Sequence, residues 1–283
     1  MPREEVDKLS LSLIIAVYNK ADNLRLIFAA CARQSFQDFE IIIADDGSGP
    51  EVRRVIEEAK MQYQFPVRHL WHEDAAWRKN VMLNKAIRAS RTDYLVFIDG
   101  DCIPHKDFLL DHWSHREETT VVGARRVTMS ERWSRRMTLE RIESGAFEKV
   151  GLREWFDAIL GKAQSVEESL RFKGSFLQSI FHQQDRQMLG CNFSIGKKYL
   201  QAINGFDELY EGPGCGEDTD IEYRLSLTGV RSKTIRHQAI LFHIYHPVTK
   251  SSDKSFERFR AVRERKEARC GQGLDQHREE PAV

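Results

Sequence analysis

The sequence lacks an excess of charge of either sign, because its 43 basic side chains balance 43 acidic ones. Such a chain has no overall field that attracts nucleic acid, so no nucleic-acid partner is expected. Long apolar runs are also absent, since stretches such as Ile41–Ala44 fall far short of the roughly 20 residues that span a bilayer. The N-terminus, MPREEVDKLS, is charged and has no apolar core. We therefore expect a cytoplasmic protein without a membrane anchor of its own.

Cysteine is sparse and scattered along the chain. None of the five cysteines belongs to a CxxC pair, which argues against a zinc knuckle. Their wide separation also argues against a disulfide framework and fits a reducing compartment. The five are Cys31, Cys102, Cys191, Cys215 and Cys270.

The first hundred residues contain alternating strand and helix patterns. Short apolar runs with the β-branched content of buried strands lie at 11–17, 39–44, 67–71 and 94–98. Apolar residues at helical spacing separate them, at 24–31, 52–59 and 77–90. This alternation predicts βαβ units and an α/β fold with a parallel sheet, in which ligands bind beyond the carboxyl ends of the strands.

The second half of the chain has a different pattern. After an expected strand at 120–124, residues 125–187 combine charged side chains with scattered aromatic ones, which predicts a helical insertion or lid. Ordered patterns return from Leu189 and end in an expected strand within AILFHIYHP. Residues 251–283 are predicted to form a polar helix and a tail whose last dozen residues are disordered. The arginine-rich part of this segment suits either an anionic membrane surface or packing on the domain.

Acidic residues follow two of the expected strands. Asp45 and Asp46 come after the second strand, where they could cap a turn or accept a hydrogen bond from a ligand such as a nucleobase. Asp99 and Asp101 flank Gly100 directly after YLVFI. Two carboxylates at a buried strand end repel each other unless a cation is bound, and oxygen ligands favour Mg²⁺ or Mn²⁺.

A third acidic group lies in CGEDTDIEYRL, residues 215–225. Thr219 and Glu222 have the spacing of a capping box, and Asp220 in the first helical turn suits the helix dipole. Glu217 and Asp218 precede this cap, so chemistry is the main interpretation for them, although Asp218 could itself be the N-cap.

Two further groups are candidates for ligand contacts. His243 and His246 lie three residues apart before Pro247, which makes one of them a candidate metal ligand. Arg78 and Lys79, in WRKN, could meet a diphosphate at a helix start or could form a solvated helix face.

The order of these motifs resembles family 2 glycosyltransferases of the GT-A fold. The motifs are LIIAVYN, FEIIIADDGS, YLVFIDGDCIP, GFDE and GEDTDIEYRL. The match covers roughly residues 11–247 apart from the middle insertion, and its last part also resembles galactosyltransferase and chondroitin-polymerase-like enzymes. The resemblance implies a Rossmann-like, mostly parallel sheet with flanking helices and a helical insertion, in one catalytic domain over residues 1–250.

The resemblance also implies site roles. Donor-binding roles fall on Val17, Asn19, Asp45, Asp46, Arg78 and Asp99. Asp45 or Asp46 would hold the uracil of a UDP-sugar, and Asp99 would contact the ribose. Asp101, with His243 or His246, would hold Mn²⁺ or Mg²⁺ on the diphosphate. Asp218 would be the catalytic base, and Glu217 and Asn192 would bind the acceptor.

The implied activity is metal-dependent, inverting transfer of a sugar from a UDP-sugar to a hydroxyl of a glycan or glycolipid. The implied setting is bacterial polysaccharide or lipopolysaccharide synthesis, in the cytoplasm or peripherally on the inner membrane. Lys79 separates Arg78 from Asn80, a departure from the family pattern that weakens the diphosphate role of Arg78. No QxxRW motif follows Asp218 and no tryptophan follows Trp155, which argues against a processive synthase.

Two other classes of function stay open at this stage. A sugar nucleotidyltransferase or another metal-dependent phosphoryl enzyme is one, but a nucleotidyltransferase should have a glycine-rich loop where this chain has VYNKADN. A non-catalytic sugar-nucleotide-binding subunit is the other. Such a subunit should have lost an acid, yet the candidate acids are all present: Asp46, Asp99, Asp101 and Asp218.

Overall fold

The computed structural model describes residues 9–172, 183–184, 188–212, 217–247 and 253–277, with the backbone alone at 183–184 and at Glu217. Within these ranges the strands, numbered β1 to β11, are Leu11–Val17, Phe39–Asp45, Val67–Trp71, Tyr94–Asp99, Cys102–Pro104, Thr120–Ala124, Arg126–Thr128, Gln183–Gln184, Asn192–Gly196, Arg231–Ile235 and Leu241–His243. The α-helices, numbered α1 to α10, are Ala21–Ala32, Pro50–Gln62, Lys79–Ala89, Phe108–Ser114, Glu131–Ser134, Leu139–Glu143, Leu152–Ile159, Lys197–Ala202, Glu217–Leu227 and Asp253–Arg265.

The central sheet has the strand order β3-β2-β1-β4-β9-β6-β10-β8 among the described residues. Strands β3, β2, β1 and β4 are parallel, as are β6 and β10. Strand β9 runs antiparallel to both of its neighbours. The mostly parallel α/β sheet expected from the sequence is therefore confirmed.

Both faces of the sheet are covered, which explains why its strands read as continuous apolar runs. Leu13 and Ile15 of β1 point to one face, where they join a core with α1 and α2. Ile14 and Ala16 point to the other face, where α3 and α9 pack. The side-chain alternation of a strand thus divides one apolar run between two cores.

A second, smaller sheet lies next to the first. It has the order β5-β11-β7, with β11 antiparallel to β5 and parallel to β7. The last strand, expected within AILFHIYHP, covers three residues, Leu241–His243, and belongs to this small sheet. The pairing matters for the site because it places His243 opposite Cys102, one residue after Asp101.

The insertion consists, over its described residues to 172, of short helices after β7. Ser130 and Thr138 begin two of these helices by accepting hydrogen bonds from the backbone with their side chains. Residues 173–182 and 185–187 lie outside the described part of the chain. The role of this insertion as a lid and the division of the chain at residue 250 stay predictions.

More of the C-terminal segment packs on the domain than expected, since its contacts continue along the chain to His277. Arg258 of α10 forms an ion pair with the buried Asp207, and His277 pairs with Glu208. Leu274 is buried in the core on the α3 face. The expectation of disorder over the last dozen residues is therefore wrong as far as His277, and residues 278–283 lie outside the described part. Over the described residues, no helix combines the length and the apolar character needed to cross a membrane.

Candidate active site

A cleft of about 500 Å³ opens where β1, β2 and β4 end. Its lining includes four acids, Asp46, Asp74, Asp99 and Asp101. Two lysines, Lys20 and Lys79, and two aromatic side chains, Tyr18 and Trp77, also line it. The carboxyl ends of parallel strands meet at this edge, so the strand-end acids predicted from the sequence come together here.

Gly100 has a packing reason to separate the two acids of its triplet. Its amide donates to the carbonyl of Ala16 at 2.7 Å, which ties the end of β4 to β1. A Cβ at this position would lie 3.0 Å from that carbonyl and 3.0 Å from a Val17 methyl. The triplet therefore turns tightly against β1, and Asp99 and Asp101 both keep access to the cleft.

Asp101, His243 and His246 form a cluster that could hold a divalent cation. One ligand atom from each lies within 4.8 Å of the others. The Nε2 atoms of His243 and His246 are each 3.5 Å from a different carboxylate oxygen of Asp101. The Nδ1 of His246 donates to the Pro247 carbonyl at 2.9 Å, which orients the ring so that Nε2 is the nitrogen facing Asp101.

The state of His243 also fits metal binding. Burial lowers its pKa to about 4, although Asp101 acts in the opposite direction, so the ring is neutral near pH 7. A neutral imidazole is the form that binds metal. Its Nδ1 is a buried polar atom without a hydrogen-bond partner among the described residues. The three side chains thus fit a divalent ion by ligand type and spacing.

Asp99 has a different partner from Asp101. Burial alone would raise its pKa, but the Lys79 ammonium, 2.8 Å from Oδ1, together with Arg126 brings the pKa below its ordinary value. Lys79 therefore brings a positive charge to the cleft directly beside Asp99. The signal that could have identified Lys79 is its place in the first turn of α3, which begins at the ligand-binding edge of the sheet.

Asp45 and Asp46 are adjacent in sequence and differ in surroundings. Asp45 is fully buried, and its oxygens accept from the Ser48 amide and meet His69, each at 2.8 Å. Asp46 lines the cleft and is held by His72 at 2.8 Å and by the Arg78 amide at 2.9 Å. Burial raises the pKa of Asp46, and these two hydrogen bonds offset part of the rise. Of the two, Asp46 is the one that a ligand can reach.

Of the three other residues predicted to bind the donor, one lines the cleft and two do not. Val17 lines the cleft. Asn19 instead connects two loops, because its side-chain oxygen accepts from the Gly49 amide at 3.0 Å. The guanidinium of Arg78 turns to the Glu73 carbonyl, and Lys79 takes the place on the cleft that the prediction gave to Arg78.

Asp218 contacts the segment that precedes β9, whose first residue, Asn192, pairs with the end of β4. Its Oδ2 accepts from the Gly190 amide at 3.0 Å, and its Oδ1 accepts from the Thr219 amide at 2.8 Å. One oxygen thus binds its own helix and the other binds the segment before β9, and each keeps lone-pair capacity. The side chain of Glu217 lies outside the described part of the structure.

The capping box expected at Thr219 and Glu222 does not form, because α9 already begins at Glu217. Glu222 instead accepts from the Met188 amide at 3.0 Å and from Ser232 at 2.9 Å. Asp220 forms a fully buried ion pair with Arg224, 2.6 Å away. Both acids have structural roles, as expected, but they act through tertiary contacts rather than as a cap.

Asn192 does not reach the cleft, contrary to its predicted acceptor role. It is fully buried at the start of β9. Its amide group donates to the Arg125 and Ala239 carbonyls, and its oxygen lies 3.0 Å from His112. All of these partners are internal, so Asn192 holds β9 in place.

A pair of thiols, absent from the sequence predictions, connects these parts. Cys102, which follows Asp101, and Cys191, which follows Gly190, are both buried, and the Cys102 thiol donates to an Asp101 oxygen at 3.6 Å. The neighbouring Cys102 thiol and the Arg126 guanidinium, 3.3 Å from Cys191, lower the pKa of Cys191 against the effect of burial. The thiols pack the loop that carries Asp101 against the loop that holds Asp218, so the two candidate catalytic segments are neighbours.

The fold, with a cleft at the carboxyl ends of its parallel strands, is that of a GT-A protein. Comparison with known families agrees. The model described as glycosyl transferase family 2 matches residues 12–166, and one described as the N-terminal domain of galactosyltransferase matches residues 172–247. The chain belongs to glycosyl transferase family 2.

Several characterised relatives are similar over most of the chain. A chondroitin synthase of Escherichia coli is 23% identical over 86% of this chain and 36% of its own length. A validoxylamine A glucosyltransferase of Streptomyces hygroscopicus is 26% identical over 78% of this chain and 52% of its own. The chain therefore spans about a third to a half of the length of these relatives.

Solved structures share the fold at low sequence identity. The S. aureus TarS fragment in complex with UDP superposes with a TM-score of 0.60 at 13% identity, covering 94% of this chain and 68% of that one. The Pyrobaculum calidifontis mannosyltransferase PcManGT, in complex with GDP-Man and Mn²⁺, gives a TM-score of 0.55 at 13% identity, covering 89% and 60%. These likenesses establish the GT-A fold.

Proposed function

We propose that the protein transfers a sugar from a UDP-sugar to a hydroxyl group of a glycan or glycolipid acceptor, in one metal-dependent, inverting and non-processive step. The observation that carries the proposal is the convergence of Asp101, His243 and His246 at a cleft that Asp46 and Asp99 also line. A nucleotide-binding edge, a cation site and a nearby carboxylate are the parts that this reaction needs.

The donor would lie along the strand ends. Asp46 offers a carboxylate to the N–H of a pyrimidine base, and Tyr18 and Trp77 add apolar surface to the same cleft. Asp99 would accept from a ribose hydroxyl. Lys79, already paired with Asp99, brings positive charge to the region where the diphosphate would lie. Along the cleft, the base would thus meet Asp46, the ribose would meet Asp99, and the diphosphate would meet the Lys79 ammonium.

The cation would be held by Asp101, His243 and His246. Two imidazoles with one carboxylate suit Mn²⁺ better than Mg²⁺, whose protein ligands are mainly oxygens. When bound, such an ion neutralises charge on the leaving diphosphate. The protein contributes the orientation of both rings, with His246 fixed by the Pro247 carbonyl and His243 kept neutral by burial.

Asp218 is the proposed general base. The Gly190 and Thr219 amides fix its orientation, and it is only partly buried, so an acceptor hydroxyl can approach its remaining lone pairs. As Asp218 takes its proton, the hydroxyl attacks the anomeric carbon from the face opposite the diphosphate, the bond from that carbon to the diphosphate oxygen breaks, and UDP leaves, so the configuration inverts in a single displacement. General-base assistance of this kind typically contributes ~10²–10⁴ in rate.

The residues that would bind the acceptor are proposed from the family resemblance, not from contacts in the structure. Glu217 stays a proposed acceptor contact, and Asn192 is withdrawn from that role because its side chain is enclosed. Bacterial polysaccharide or lipopolysaccharide synthesis, at the cytoplasmic side of the inner membrane, is the proposed setting.

A ligand screen tests the proposal directly. Thermal melts of the full chain would be recorded with UDP-, GDP- and dTDP-sugars, each with Mn²⁺ and with a chelator. Ligand-linked stabilisation is about 2.7 kcal/mol at a hundred times the dissociation constant, so a true donor should raise Tm clearly. We expect a UDP-sugar to do so with Mn²⁺ and much less without it. A shift that ignores the metal, or none with any nucleotide sugar, would contradict the proposal, and binding without turnover would favour the non-catalytic alternative.

A further inference from the structure

Helix α7 buries both of its acids beside Trp155 and Ala158, and it exposes its other large apolar side chains. Glu154 and Asp157 are only 6% and 4% exposed. Glu154 forms an ion pair with Arg136, and Asp157 accepts from Ser130 and pairs with Arg132. The acids of this helix are thus neutralised within the protein, which reverses the usual arrangement of a surface helix.

The outer face carries a continuous apolar stripe. Leu152, Phe156, Ile159 and Leu160 are 89, 56, 79 and 50% exposed. They are spaced at i, i+4, i+7 and i+8, which places them on one side of the helix. Single exposed apolar side chains are common on proteins, but a contiguous stripe marks an interaction site.

Within the segment that carries the stripe, the exposed charges are of one sign, and the exposed acids nearest in sequence, Glu143 and Glu167, lie outside it. Between Gly145 and Ala163, every exposed charged side chain is basic: Lys149, Arg153 and Lys162. The acids of this stretch are either buried or, in the case of Glu148, paired with Arg33. An apolar stripe bordered by cations matches an interface that has apolar chains below anionic headgroups.

We propose that the α7 stripe is the surface by which this protein docks on an anionic phospholipid membrane. The four apolar side chains enter the interface, and Lys149, Arg153 and Lys162 lie at the level of the headgroups. Each basic residue near such a surface strengthens binding by roughly fivefold.

A second copy of the chain fits the stripe less well. A two-fold contact brings the same patch of both subunits together. The cations that border the stripe would then face one another, and like charges in a contact disfavour it. The membrane surface offers the opposite charge.

Docking through α7 would bring the active site to the membrane. Ser130, which binds Asp157 at 2.6 Å, begins α5. Ser134, at the end of α5, accepts from the Tyr245 amide at 2.8 Å, next to the proposed ligand His246. This consequence rests on the proposed function, because it suits an acceptor carried on a lipid.

Vesicle binding tests the proposal without requiring transfer. The full chain would be sedimented with vesicles of phosphatidylcholine alone and of equal parts phosphatidylcholine and phosphatidylglycerol, at low and high ionic strength. We expect binding to the anionic vesicles only, weakened by salt. Phe156→Ser with Ile159→Ser should weaken binding by about a hundredfold, since each buried apolar side chain contributes about tenfold or more. Arg153→Gln with Lys162→Gln should weaken it by roughly twenty-five-fold, about fivefold for each cation removed.

The matched control removes two exposed apolar side chains elsewhere, Met61→Ser on α2 and Phe256→Ser on α10, which are 82 and 47% exposed. It should bind as the unchanged protein does. Equal binding by the α7 variant, or loss in the control, would overturn the assignment, as would absence of vesicle binding by the unchanged protein. Light scattering covers the remaining outcome: a dimer that α7 substitutions convert to monomer, without vesicle binding, means that a second copy covers the stripe. Donor hydrolysis in the same samples reports separately on the proposed function.

Discussion

The two acidic segments of this chain, residues 99–101 and 217–222, look similar in sequence and have different surroundings. The acids of the first follow a strand and line the cleft, where Asp99 meets Lys79 and Asp101 meets two histidines. In the second, which belongs to a helix, Asp220 and Glu222 are taken up by tertiary contacts. A strand end leaves a carboxylate at the ligand-binding edge, whereas a helix in the core surrounds it with protein. Asp218 shares features of both segments, because it lies on helix α9 but accepts from Gly190 in the loop before strand β9.

The largest expected effect comes from the strand-end segment. Asp101→Ala removes the carboxylate shared by both histidines, and a metal ion supplies several kcal/mol to the transition state, so transfer should fall roughly a thousandfold or more. Metal-dependent binding of UDP, measured by calorimetry, should be lost as well. Asp93→Ala, at the opposite and exposed end of β4, is the control and should change neither property. Normal Mn²⁺-dependent binding by Asp101→Ala would remove this aspartate from the metal site.

Asp218→Asn tests the exception in the helical segment. Asparagine has a single side-chain oxygen, so it can accept from only one of the two amides that Asp218 binds, and it cannot act as a base. We therefore expect kcat to fall by ~10²–10⁴. The binding of UDP and Mn²⁺ should stay nearly unchanged, which separates this variant from Asp101→Ala. The measurement is steady-state kinetics beside calorimetry on the same sample. Near-normal turnover would show that the base is another group.

The fold could be predicted from local patterns because both faces of the sheet are covered. Strand-length apolar runs alternate with helical ones, and this alternation decided the α/β class. The small sheet could not be predicted in the same way, since β5, β7 and β11 have three residues each and depend on partners distant in sequence. The C-terminal segment misled for a similar reason. Its polar composition suggested disorder, but Arg258 and His277 find buried acids that no local pattern reveals.

Site residues could be predicted where they lie at the end of a strand, because that position alone brings their side chains to the cleft. Asp99 and Asp101 lie at the cleft as expected, and the two histidines both join Asp101. Choices between neighbours were not predictable, as the pairs Asp45 and Asp46 or Arg78 and Lys79 show. Adjacent residues point in different directions, and only the packing around them determines which one meets the cleft. The shielding of Asn192 has the same origin.

Arg224→Met tests the structural role of Asp220, the buried acid of the helical segment. Removing one partner of a buried ion pair leaves Asp220 uncompensated, so the free energy of unfolding should fall by about 3–5 kcal/mol. Burial already raises the pKa of Asp220 and Arg224 opposes the rise, so the variant should bind a proton more readily when folded than when unfolded. Its stability loss should therefore shrink as the pH falls. Urea unfolding at two pH values measures this.

Two further measurements delimit the Arg224→Met result. Adding Asp220→Asn should recover part of the stability, because the unpaired charge is removed. Turnover per folded molecule should be unaffected, in contrast to Asp218→Asn. A loss of stability below about 1 kcal/mol, the range of exposed ion pairs, would mean that this pair is not buried as described.

The smallest expected effect compares two neighbours at the end of β2. Asp46→Asn removes a charged acceptor from the cleft, and a hydrogen bond to a charged group contributes about 1.5–3 kcal/mol, so KM for the donor should rise roughly tenfold or more. Asp45→Asn changes a carboxylate that Ser48 and His69 enclose, so KM should stay within about twofold while the unfolding free energy falls by about 1 kcal/mol. Donor titrations and urea unfolding of both variants give the two numbers. Equal rises in KM would mean that the donor depends on the shape of this turn rather than on the carboxylate that faces the cleft.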